Sequence, residues 1–152
     1  LVIDRARGIG WCGLSERCDA AGAARMHAAF GLQATLVFPL RPGEYHTNVV
    51  LSALAGRGVA VCPDGYAGLG TPGDPVALMR RLYGATRVIE LDAAERAGFA
   101  GNCIALTPKT VWMSERAADS LRPASRAAFA ALGFAIRAVP LDEIEKAGGS
   151  LR

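Results

Sequence analysis

The chain has 152 residues, 51% of them hydrophobic and 20% charged, with a net charge of +3. That balance excludes a disordered chain and is enough for one domain with a real core. The basic residues are scattered with no stripe interleaved with aromatics, and no uncharged run reaches the ~20 residues a membrane helix needs, so neither nucleic acid nor membrane is an expected partner.

In chain order, Leu1–Asp4 and Ile9–Cys12 read as strands joined by a hairpin turn at Arg5–Gly8. Ser15 is placed to cap an alanine-rich helix over Cys18–Phe30, and Gly31 to end it. A strand over Thr35–Leu40 precedes the turn Arg41-Pro42-Gly43. His46–Leu54 is a second apolar run, followed by a turn at Ala55–Gly58 and a strand over Val59–Cys62. Pro63–Gly73 reads as loop, and Pro75 suits the first turn of a helix running to about Tyr83. The strand Arg87–Leu91 and the short Asp92-capped helix Ala93–Ala97 come next. Strands over Cys103–Leu106 and Thr110–Met113 precede a Ser114-capped helix running to Ala131, broken near Pro123. Phe134–Val139 is the last strand and Leu141–Lys146 the last helix. The order strand, strand, helix, strand recurs at roughly 45 to 55 residues, which predicts an α/β architecture built from repeated modules.

Cys12, Cys18, Cys62 and Cys103 show no C-x-x-C spacing. They read as small buried hydrophobes in a reducing compartment, so the cytoplasm is the expected location and neither metal nor cofactor is expected. No dinucleotide-binding turn or P-loop is present in the sequence. The stretch Glu44-Tyr45-His46-Thr47-Asn48 holds one of only two histidines. A histidine among polar groups at the edge of an apolar run suits proton transfer, because its ordinary pKa lies near neutrality. The alternative is a histidine satisfied by backbone hydrogen bonds at a strand end. Glu44 is close enough in sequence to orient His46. His27 reads as structural or solvent-facing.

Four stretches resemble one family in order and spacing. Gly13-Leu14-Ser15-Glu16-Arg17 resembles the G-L-S-x-R stretch of dimethylarginine dimethylaminohydrolases and arginine deiminases. Tyr45-His46-Thr47-Asn48-Val49 resembles the catalytic-histidine motif of their amidinotransferase-like relatives. Phe99–Ile104 resembles their A-N-C-I strand start, and Leu141–Arg152 the segment that leads to their nucleophilic cysteine. The resemblance implies a pentein α/β-propeller, of which the repeat accounts for about three modules. It also implies that residues 1–152 are one domain fragment of a longer chain that stops just before the nucleophile; such a piece exposes apolar strand edges and is expected to be poorly stable or to associate through them.

The implied chemistry is covalent. A cysteine thiolate attacks the guanidinium carbon, a histidine protonates the departing amine, and water hydrolyses the thiouronium with the same histidine as base. By resemblance His46 takes that role and Arg17 grips the substrate carboxylate with its bidentate fork. Asn48 stands where arginine deiminases carry an aspartate on the guanidinium, and Gly148, Gly149 and Ser150 form the loop that approaches the substrate. None of the four cysteines replaces the nucleophile, so the chain by itself is expected to be inactive. Hydrolase and amidinotransferase differ here only in whether water or an amine accepts the amidine. A non-catalytic binding module of the same fold is the remaining alternative.

Overall fold

In the computed structural model, which describes residues 1–152, the chain builds the same three-stranded sheet three times. In the first, β1 (Val2–Asp4) pairs antiparallel with β2 (Ile9–Leu14), Val2 opposite Trp11. Helix α1 (Ala20–Ala29) then returns the chain to β3 (Ala34–Pro39), parallel to β2 with Ile9 opposite Ala34. A short helix, α2 (Thr47–Val50), leads into the second sheet. There β4 (Leu51–Leu54) and β5 (Gly58–Val61) are antiparallel, and α3 (Pro75–Tyr83) crosses to the parallel β6 (Val88–Glu90). After α4 (Ala93–Ala97) come the antiparallel β7 (Ile104–Thr107) and β8 (Thr110–Ser114). Helices α5 (Glu115–Ser120) and α6 (Pro123–Ala131) return the chain to β9 (Ala135–Val139), parallel to β8, and α7 (Asp142–Glu145) follows. Tight turns suffice for the antiparallel pairs, whereas each parallel pair needs a helical crossover.

The three sheets meet through their first strands. β4 packs beside β1 on one flank and β7 on the other. Together these strands line a cavity of about 570 Å³ that includes Val2, Asp4, Ala53, Ile104, Ala105 and Arg152. The helices pack outside, and the core between the layers holds Trp11, Leu51, Leu54, Met79, Met113 and Phe129, all fully buried. Each such side chain contributes roughly 1.5–3 kcal/mol by leaving water. A polar seam joins the first two modules. Trp11 Nε1 donates to the Tyr83 hydroxyl at 3.3 Å, and that hydroxyl donates to Asp4 at 2.7 Å. Arg7 pairs with the same carboxylate at 2.9 Å and lies over the Tyr83 ring.

Local chemistry explains most of the boundaries. The Asp92 carboxylate accepts from Glu95 N–H while the Glu95 carboxylate accepts from Asp92 N–H, a reciprocal cap for α4. Ser114 caps α5, and Pro75 and Pro123 open α3 and α6, where a missing N–H costs nothing. Gly31, at φ +57°, follows the last turn of α1 as expected.

Two expectations are corrected. The N-cap of α1 is Asp19, whose carboxylate accepts from Gly22 N–H at 2.7 Å; the Ser15 hydroxyl is committed elsewhere. The run His46–Leu54 is not one strand, because Thr47–Val50 close a helical turn before β4 begins. Thr47, Val49 and Val50 are all buried in this turn, which packs the start of the run against the core before the chain extends.

Candidate functional site

The site is assembled around the loop that carries His46. On one flank, β2 ends in a tight turn that bears Arg17. The turn is closed by Ser15 N–H donating to Cys18 O (3.0 Å) and Cys18 N–H to Ser15 O (3.2 Å). The Ser15 hydroxyl donates to Tyr45 O at 2.7 Å, and the Gly13 N–H donates to Thr47 Oγ1 at 2.8 Å. Those two bonds fall on the residues either side of His46, so the backbones of the Arg17 turn and the histidine loop are fixed to each other. Gly13 permits this approach: a Cβ there would sit 2.5 Å from Leu40 Cγ.

On the other flank lies the segment Gly148–Arg152. The Tyr45 hydroxyl donates to Gly148 O, and Gly148 itself has φ +86°, a conformation that favours glycine. Asn48 Nδ2 donates to Arg152 O at 2.9 Å. Asn102, 1% exposed, completes the latch: its Nδ2 donates to Asn48 O (2.8 Å) and Arg152 O (3.2 Å), while its Oδ1 accepts from Arg152 N–H (2.8 Å). The Arg152 guanidinium reaches Ser52 Oγ at 3.1 Å and Cys103 O at 3.3 Å, and burial holds its pKa below the usual arginine value.

The individual side chains are placed as follows. His46 occupies the N-cap position of α2 but makes no capping bond; its ring is exposed and meets Tyr45 edge-on, 4.9 Å between centroids. Arg17 is exposed, and its guanidinium makes no hydrogen bond or ion pair. A cavity of about 210 Å³ between the Arg17 turn and the loop Leu40–Tyr45 is lined by neither Arg17 nor His46. The Asn48 amide is spent on the Arg152 carbonyl, and the Ser150 hydroxyl on Glu145 at 2.6 Å. At Gly149 an added Cβ would meet open space.

Glu44 does not orient His46. Its carboxylate is taken by Arg96, which also pairs with Asp64 at 3.0 Å, so neither acid is a free solvated charge. His27 Nδ1 lies 3.0 Å from the Thr35 hydroxyl, a structural contact. Three of the four cysteines are poor thiolate sources. Burial pushes Cys12 and Cys103 up to about 11 and Cys62 higher still. No group of three or more His, Cys, Asp or Glu side chains is placed to hold a metal ion.

Sequence reasoning missed the tethering residues Ser15, Thr47 and Asn102. Their signal was present, since each is a short hydrogen-bonding side chain inside a quoted motif, but their partners lie 30 to 54 positions away.

Three strand–strand–helix–strand modules meeting through their first strands define an α/β-propeller of the pentein class. The chain belongs to the family described as N,N dimethylarginine dimethylhydrolase, eukaryotic, whose model matches residues 1–152. This is a family of guanidino-group hydrolases. Among solved structures, the chain is similar to the N-terminal domain of ArgZ, an arginine dihydrolase from the ornithine–ammonia cycle in cyanobacteria, solved as a cysteine-to-serine mutant bound to substrate. The TM-score is 0.76 at 18% identity, covering 92% of this chain and 48% of that one. A cysteine-to-alanine mutant of AgrE in complex with L-arginine gives 0.75 at 20% identity, covering 92% and 19%. A histidine-to-glycine mutant of dimethylarginine dimethylaminohydrolase, as an adduct with S-methyl-L-thiocitrulline, gives 0.65 at 23% identity, covering 94% and 49%. The chain thus spans about half the length of the first and third of these. At these identities the likeness is one of fold. No curated protein sequence matches the chain. No helix is long and apolar enough to cross a membrane.

Proposed function

We propose that residues 1–152 are part of a cysteine-dependent hydrolase of guanidino compounds and supply its proton-transfer and carboxylate-binding groups. The observation that carries this reading is the double fixing of the His46 loop. Bonds through Tyr45 and Thr47 tie it to the turn of Arg17, and bonds through Tyr45 and Asn48 tie it to Gly148–Arg152. A histidine held between an arginine turn and a glycine-rich loop has the neighbours that guanidino hydrolysis needs.

In this reading a thiolate adds to the guanidinium carbon and His46 delivers a proton to the departing amine. The same imidazole then draws a proton from the water that cleaves the thiouronium. A ring free of internal hydrogen bonds can face substrate in both steps. Arg17, also without an internal partner, receives the substrate carboxylate. Asn48 and Ser150 act on substrate through the backbone they hold, and Gly149 leaves the approach open. The buried, poorly ionised thiols of Cys12, Cys62 and Cys103 are unsuited to the nucleophile, and the reading does not use the half-buried Cys18; it takes the nucleophile from a cysteine outside residues 1–152, as the resemblance of Leu141–Arg152 implies.

The test is to express the full-length protein and assay citrulline formation from L-arginine and methylated arginines. Replacing His46 with Asn should lower kcat about 10³-fold, within the range for a general acid–base. Replacing Arg17 with Lys should raise KM with little change in kcat, since the fork is lost but the charge kept. Undiminished turnover by the His46→Asn protein would overturn the reading.

A further inference from the structure

We propose that Cys12 and Cys18 form an oxidisable dithiol at the foot of the Arg17 turn, a modification site closed to a disulfide by a low-molecular-weight disulfide. The two thiols are free and their sulfurs lie 3.4 Å apart. They need to close by only about 1.4 Å to reach the ~2.05 Å of a disulfide bond. The proximity is built by the backbone. Cys12 is fully buried in β2, and the paired bonds between Ser15 and Cys18 fold the chain back so that Cys18 lies over it.

The two sulfurs differ in access, and that difference sets an order of events. Cys18 is half-buried and reachable from solvent, whereas Cys12 is fully buried. Burial first, and the contact with Cys18 second, push the Cys12 thiol up to about 11, so it is poorly ionised at neutral pH. Cys18 therefore reacts first. Its thiolate attacks one sulfur of a disulfide RSSR, forming a mixed disulfide and expelling RS⁻. Cys12 then attacks Cys18 Sγ, its proton passes to the departing sulfur, and the second thiol leaves as RSH. Two protein thiols are oxidised by two electrons, and one RSSR is reduced to two RSH. Cys62 and Cys103 are both fully buried with raised pKa values, so they stay reduced.

The product would cross-link β2 to the residue after Arg17 and fix the turn Gly13–Arg17 by a covalent bond. The oxidation does not depend on what Arg17 binds, so it stands or falls separately from the hydrolase reading.

The experiment incubates the folded protein with oxidised glutathione, counts free thiols after quenching and denaturation, and maps linkages in a tryptic digest. The expected result is a fall from four thiols to two. Cleavage after Arg7, Arg17 and Arg25 should yield peptide 8–17 joined to peptide 18–25. The Cys18→Ser protein should keep all three of its thiols. The Cys12→Val protein, with a side chain suited to the apolar site, should stop at a glutathione adduct on Cys18. Retention of all four thiols in the folded wild-type protein would overturn the proposal. So would loss of two thiols in Cys18→Ser, or a linkage mapped to Cys62 or Cys103.

Discussion

The His46 loop is held on two flanks, and the flanks are built differently. Toward the Arg17 turn, the Gly13 N–H to Thr47 bond is buried and the polar partners sit within strand and helix ends that are part of the core. Toward Gly148–Arg152, the bonds from Tyr45, Asn48 and Asn102 are half-buried, and each reaches a backbone carbonyl in an irregular segment. The first flank is fixed by packing with hydrogen bonds added. The second is fixed chiefly by hydrogen bonds. The Arg17 side should therefore move only with global unfolding, whereas the C-terminal side can open locally.

The sharpest way to break the second flank is Asn102→Ala. It removes the Asn102 partner of the Asn48 carbonyl and of the Arg152 N–H and leaves the Arg152 carbonyl with Asn48 alone, with an expected cost of about 3 kcal/mol. Thermal unfolding checks the magnitude, and hydrogen exchange should show the Arg152 amide losing protection first. Thr47→Val attacks the first flank while conserving volume. It orphans the buried Gly13 N–H, for an expected loss of about 2 kcal/mol and a Tm lower by about 5 °C. Here exchange should quicken together in Gly13 and the core strands. Tyr45→Phe removes one bond to Gly148, worth about 1 kcal/mol, and should speed exchange at residues 148–152 with little change in Tm.

The smallest effect lies away from both flanks and serves as a control. Burial alone would raise the Asp74 carboxyl, but the N–H groups of Gly70, Ala77 and Val76, with Arg80, outweigh it and hold it below its ordinary 3.8. A depressed folded-state pKa gives stability that is full above the unfolded value and lost as pH falls through the folded one. Helix α3 should therefore loosen only below about pH 4, with both flanks of the histidine loop unaffected. Circular dichroism with site-resolved exchange checks this.

The modular order and most helix ends were legible because they depend on local chemistry. Pro75 and Pro123 start helices by what their rings forbid, and Ser114 and Asp92 cap by bonds within three residues. Ser15 was misassigned as a cap because its hydroxyl answers to Tyr45, 30 positions away. Glu44 was read against its neighbour His46, yet its partner is Arg96, 52 positions distant. The motif residues His46, Arg17, Asn48, Gly149 and Ser150 were named by resemblance of short stretches; what the structure adds is the set of bonds that tie the turn of Arg17 and the segment Gly148–Arg152 to the His46 loop. That Asn48 and Ser150 point at the chain's own backbone and at Glu145 is a long-range fact of register and packing, beyond the reach of any short pattern.

The threefold repetition of sheets also sets the order of events in time. Every strand pairing is made within its own module, by a tight turn or a single crossover, while the bonds joining modules, such as Ser52 Oγ to Gly101 O and Gly13 N–H to Thr47, span longer stretches of chain. Short loops close fastest. Each sheet should thus nucleate independently, and docking of neighbours should come last. Substitutions inside a sheet, such as Val111→Ala, should mainly slow folding, whereas loss of an inter-module bond, such as Ser52→Ala, should mainly hasten unfolding.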